Sequence, residues 1–113
     1  MLHEMKLQDE PFKKISDGTK TIEMRLYDEK RKKVKVGDLI EFTNVLNNEK
    51  LITRVINLYI YKDFDELYKN HDKVSIGYNE DEEANPCDMS MYYSDEDIEK
   101  YGVVGIKIKK INN

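Results

Sequence analysis

The chain has 113 residues, 39% hydrophobic and 37% charged, with a formal net charge of −4. Such a length suits one domain, 1–113, with one modest core, and the acidic balance excludes nucleic-acid binding by bulk attraction alone, leaving room only for a local basic patch. Cys87 is the single cysteine, which excludes an internal disulfide, and no apolar run nears the roughly 20 residues that span a bilayer, so the expectation is a soluble cytoplasmic domain without a membrane partner.

Residues 1–7 alternate weakly, with Leu2, Met5 and Leu7 as apolar points, and predict an opening strand. Asp9 is placed to cap a short helix with Glu10 and Pro11 in its first turn, Phe12 and Ile15 on its buried side, and Gly18 as its stop. Residues 21–26 follow as a strand, with Ile22, Met24 and Leu26 on one face and Thr21, Glu23 and Arg25 on the other. The basic run 30–35 reads as a helical turn or a turn-rich loop, and Gly37-Asp38 signals a turn into a strand over 39–45.

Asn47-Asn48 predicts a hairpin into a β-rich run, Lys50–Tyr61. That run exceeds the usual strand length, so a bulge is expected to divide it, and the resulting curvature suits a barrel. Asp63 should cap a helix buried through Phe64, Leu67 and Tyr68. Residues 71–91 are acidic, broken by Gly77 and Pro86, and read as an irregular loop with a little local helix. Ser94, with Asp97 three residues on, caps a final short helix ended by Gly102, and residues 103–111 alternate as the last strand. This order lacks regular strand–helix–strand alternation, which predicts an α+β fold: a small mixed or antiparallel barrel with short flanking helices.

Chemistry concentrates at Lys20, Glu23 and Arg25. Glu23 and Arg25 lie about 7 Å apart on one strand face, and Lys20 stands at the strand entrance, able to turn toward them. Such a group can hold a phosphate or a polar base edge, or, with a deprotonated lysine, activate water. The local pattern also fits an ordinary surface Glu–Arg pair of small energetic consequence. Tyr92 and Tyr93 are adjacent aromatics of which one can line a cleft and stack on a base. The run 30–35 reads as a solvated loop or a phosphate contact. His3, His71 and Cys87 lack ligand spacing, so no metal site is expected, and no motif calls for a cofactor. The acidic stretch 80–83 is the one hint of a protein-binding adaptor.

Gly18-x-Lys20-x-x-Glu23-x-Arg25 resembles the signature of the ASCH domain, a branch of the PUA-like superfamily. Val36-Gly37-Asp38-Leu39-Ile40-Glu41-Phe42, Tyr92-Tyr93-Ser94 and Tyr101-Gly102-Val103-Val104-Gly105-Ile106 are similar to further segments of that family. The resemblance implies a small PUA-like β-barrel and a cleft that binds RNA or a nucleoside-type small molecule through Lys20, Glu23, Arg25, Tyr92 and Tyr93. One branch of the family comprises amidohydrolases that deacetylate an acetylated cytidine. By that resemblance Lys20 is the alternative catalytic residue, activating water. The branch carries threonine at the place of Glu23, whose carboxylate is by its own chemistry, not by the resemblance, a candidate acid–base group.

Overall fold

The computed structural model describes residues 1–111. In chain order it contains β1 (Leu2–Leu7), α1 (Asp9–Asp17), β2 (Ile22–Leu26), α2 (Glu29–Lys32), β3 (Leu39–Asn44), β4 (Lys50–Tyr61), α3 (Phe64–Asn70), a 3-10 turn (Pro86–Met91), α4 (Asp95–Tyr101) and β5 (Val103–Lys110). The strands form one sheet in the order β1-β3-β4-β5-β2, parallel between β1 and β3 and antiparallel elsewhere. It curls into a half-barrel within a mixed α+β fold. Among the described residues no helix is long and apolar enough to cross a membrane.

The barrel does not close. Among the described residues no ladder joins the outer strands β1 and β2, and side chains cross the gap instead. Lys30 Nζ donates to the Glu4 carbonyl at 3.0 Å and Arg25 Nη2 to the Lys6 carbonyl at 2.7 Å. These carbonyls face the gap because β1 bonds to β3 only through alternate residues, and cations from β2 and α2 meet acceptors that no strand satisfies.

The curvature arises in β4. Leu51, Thr53 and Val55 point into the barrel, a bulge falls between Val55 and Asn57, and beyond it Leu58 packs on the barrel interior. The extra residue switches which parity faces inward. β5 is covered on both sides. Val104, Ile106 and Ile108 join Ile40, Phe42, Phe12 and Ile15 inside the barrel, whereas Val103 joins Ile22, Met24, Leu26, Phe64 and Leu67 beneath α3. A bulky apolar side chain removed from water in this way contributes roughly 1.5–3 kcal/mol.

Helix ends follow local chemistry with one shift. Asp63 and Ser94 cap α3 and α4 by accepting from the Glu66 and Asp97 amides, as expected. Asp9 is the first residue of α1 rather than its cap, a position held by Gln8 without a side-chain bond. The reason is a competing partner: Asp9 accepts from Asn44 Nδ2 at 2.9 Å and pairs with Lys13. β1 likewise turns His3 inward and leaves Leu2 exposed. Polar chemistry allows this, because His3 Nε2 lies 2.8 Å from Asp38 Oδ2.

Asp38 ties β1 to β3, meeting His3, the N-terminal ammonium and the Lys35 amide. The His3 bond first, and the Lys35 amide next, depress its carboxyl from the ordinary 3.8 to about 2. A depressed carboxylate stabilises the fold above its unfolded value and loses that contribution as pH falls through the folded value. Unfolding free energy should therefore decline from pH 3.8 toward about 2. The acid slope in urea titrations should be shallower for Asp38→Asn; an unchanged slope would exclude Asp38 as its source.

Candidate functional site

The register of β2 on β5 decides where the charged residues point. Glu23 lies opposite Ile106 and Arg25 opposite Val104, both of which face the barrel interior. Residues directly paired across an antiparallel ladder share a face. Glu23 and Arg25 therefore point inward at the open side of the half-barrel, and the surface-pair reading does not apply. Glu23 is 4% exposed and Lys20 8%.

Lys20 follows the left-handed Gly18 cap of α1, and its amide donates to the Lys14 carbonyl at 3.1 Å. This return of the chain brings the Lys20 ammonium to Glu23 Oε1 at 2.8 Å, while Arg25 Nε donates to Glu23 Oε2 at 2.7 Å. Each carboxylate oxygen thus holds one cation. Burial opposes ionisation of Glu23, yet Lys20 and then Arg25 outweigh it and hold the carboxyl below its ordinary value. Arg25 is also disfavoured by burial and kept charged by Glu23.

The triad, with net charge +1, borders a cleft of about 380 Å³. Lys20, Glu23, Arg25, Tyr92 and Tyr93, far apart in the chain, all line it. Tyr93 is half-buried and stacked on Phe64 at 6.0 Å with an interplanar angle of 17°, so one ring face is occupied. Burial raises its hydroxyl's pKa against the pull of Arg25, leaving it a phenol donor. Tyr92 is 63% exposed at the rim. Among the described residues the basic run 30–35 does not line the cleft: Arg31 pairs with Asp28, and Lys30 is engaged at the β1 edge.

Several cleft residues have no counterpart in the sequence expectations. Tyr68, Tyr78 and Asp88 line one wall and are linked: the two hydroxyls lie 2.9 Å apart, and Tyr78 donates to Asp88 Oδ2 at 2.6 Å. Burial raises the pKa of both tyrosines, more strongly for Tyr68. Gly77 and Ile76 complete the wall, supplied by the stretch that reads as irregular loop. Two features signal this wall: a tyrosine directly after a glycine, Gly77-Tyr78, and Asn85-Pro86 starting a 3-10 turn with the Asn85 side chain accepting from the Cys87 amide. Among the described residues no cluster of metal-ligating side chains occurs.

Glu23 is the centre of this charge arrangement. Removing it leaves buried Lys20 and partly buried Arg25 without their counter-ion, whereas removing Arg25 leaves a neutral Lys20–Glu23 pair. Glu23→Ala should therefore cost about 3–5 kcal/mol and more than Arg25→Ala, read as urea midpoints. A smaller loss for Glu23→Ala would show that the carboxylate does not organise the site.

The sequence pattern of the ASCH domain matches residues 5–112. No curated protein matches the chain. Among solved structures it is similar to the crystal structure of hypothetical protein PH0355, with 34% identity and a TM-score of 0.84 over 98% of this chain and 100% of that one. It is also similar to the solution structure of protein PF0455 from Pyrococcus furiosus, with 33% identity and a TM-score of 0.78 over 100% of both chains. The chain belongs to the ASCH domain family.

Proposed function

We propose that this PUA-like cleft binds a nucleoside-containing ligand, presented as an unpaired base of RNA or as a nucleotide-type small molecule. The observation that carries the reading is a largely buried triad of net charge +1 bordering an aromatic-walled cleft, in a chain whose total charge is −4. Attraction to an electron-rich ligand is thereby local. Lys20 and Arg25 donate to base carbonyls or a phosphate, and Glu23 keeps both cations in place. Exposed Tyr92 offers a ring for stacking, and Tyr93 contributes a wall and a phenol donor. A volume of about 380 Å³ lies at the lower end of ligand pockets, which suits one nucleoside.

A hydrolytic reading, with Lys20 activating water on an acetylated cytidine, lacks an observation of its own. Both oxygens of Glu23 are committed to cations, and Lys20 is held in an ion pair at 2.8 Å. The group is arranged to donate to a ligand rather than to take a proton from water.

Titration of the 15N-labelled protein with uridine 5′-monophosphate and with a short single-stranded RNA should shift the resonances of Lys20, Arg25 and Tyr92. Tyr92→Ala should weaken binding by about 1–3 kcal/mol, roughly 5- to 150-fold. Lys20→Ala combined with Arg25→Ala should abolish it. Equal binding by that double variant, or no cleft shifts at millimolar ligand, would overturn the reading. Incubation with N4-acetylcytidine should release no cytidine above a Lys20→Ala control.

A further inference from the structure

Lys20 owes its position to more than Glu23. Residues 72–78 cross over it. The Ser75 carbonyl accepts from both the Thr21 and Ile22 amides at 2.9 Å, which docks the segment at the entrance of β2. Ile76, 2% exposed, is buried with Met24, Phe64 and Leu67. Gly77 then passes directly over the lysine, with φ at +117°. A β-carbon there would stand 3.2 Å from Lys20 Cδ and 3.5 Å from Lys20 Nζ. Glycine serves this position twice, since few other residues adopt that backbone conformation and a side chain would press on Lys20.

The Gly77 carbonyl is held by a second lysine. Lys14, in the last turn of α1, donates from Nζ to it at 2.7 Å. The Lys14 side chain is 16% exposed, and its nearest carboxylate, on Glu10, is 3.8 Å away and largely exposed. The short bond to Gly77 is therefore its principal engagement. The carbonyl of the same Lys14 accepts the Lys20 amide. One residue thus holds Lys20 at both ends, its backbone directly and its ammonium through the segment above.

We propose that Lys14 is a positioning residue for Lys20. Its ammonium pins the Gly77 carbonyl, and the pinned segment presses the Lys20 ammonium onto Glu23, on the cleft side. Without that bond residues 72–78 lift more often, and Lys20 exchanges between its ion pair and solvent. The seating of Lys20 rests on geometry alone; its contribution to ligand affinity rests on the nucleoside-binding reading.

Acetylation of the intact protein by acetic anhydride, followed residue by residue by mass spectrometry, reads the seating without a ligand. Exposed Lys13 and Lys33 serve as references. Loss of a charge-assisted bond should raise the Lys20 rate in Lys14→Met by about 10- to 100-fold at a temperature well below unfolding. Lys14→Arg, which can still donate to the carbonyl, should stay within about twofold of the natural protein. Gly77→Ala should raise the Lys20 rate with Lys14 intact, a route that does not depend on how well Lys14→Met folds. An unchanged Lys20 rate in folded Lys14→Met, or a Lys14→Arg rate matching that of Lys14→Met, would overturn the proposal. The same variants titrated with uridine 5′-monophosphate separate the two claims. A natural protein that fails to bind ends the nucleoside reading while the acetylation result still decides the role of Lys14.

Discussion

Glu23, a carboxylate facing the interior of a half-barrel, is the constraint on which the cleft depends. Taking such a group out of water costs several kcal/mol, and the cost is offset only when oppositely charged donors are held close and well oriented. Here each oxygen has one such donor, at 2.8 Å from Lys20 and 2.7 Å from Arg25. Much of the surrounding geometry serves that pairing. The α1 stop at Gly18 returns the chain so that Lys20 arrives, β2 extends two residues so that Arg25 shares the face of Glu23, and Gly77 leaves room for the lysine. Two cations around one anion leave a positive residue of charge, which gives a protein of net charge −4 a buried spot attractive to electron-rich groups.

The open edge of the sheet and the cleft are one feature. A closed barrel would pair β1 with β2 and bury the line along which Arg25 now points. Because the sheet stops short, Arg25 does two things at once, holding Glu23 through Nε and bridging to the Lys6 carbonyl through Nη2. The gap leaves acceptors on β1 and space above β2. Residues 71–93 fill part of that space and wall the remainder with Tyr78, Met89 and Tyr93, joined by Tyr68 from α3. The bulge in β4 supplies the curvature that brings the two outer strands near each other without joining them.

Burial also separates the cleft's aromatic residues by task. Tyr93 is committed to Phe64 on one ring face, and Tyr68 and Tyr78 to each other and to Asp88. They are rigid walls whose hydroxyls remain protonated. Tyr92 and Met91, at 63% and 82% exposure, form the rim. Rigid walls around a pre-paired charge cluster are what a binding site requires if little ordering is to be lost on association.

Local chemistry in the sequence determined most of the elements. The length of β4 implied its bulge, the Asp63 and Ser94 caps stood where their side chains reach free amides, and the alternation of β5 was clear enough to mark it as a strand by pattern alone. Where two partners competed for one side chain, local reasoning slipped: Asp9 was drawn from a cap to Asn44, and His3 replaced Leu2 inside the barrel because Asp38 lay across from it. The triad shows the limit most clearly. Lys20, Glu23 and Arg25 were legible as a charged group, but their burial follows from the register of β2 on β5, a strand at the far end of the chain, and such a long-range pairing is not encoded in a local pattern. The same holds for residues 71–91. With no period to read, their place over Lys20 came from buried Ile76, the Ser75 carbonyl and the Lys14 bond, all contacts that exist only once the chain has folded.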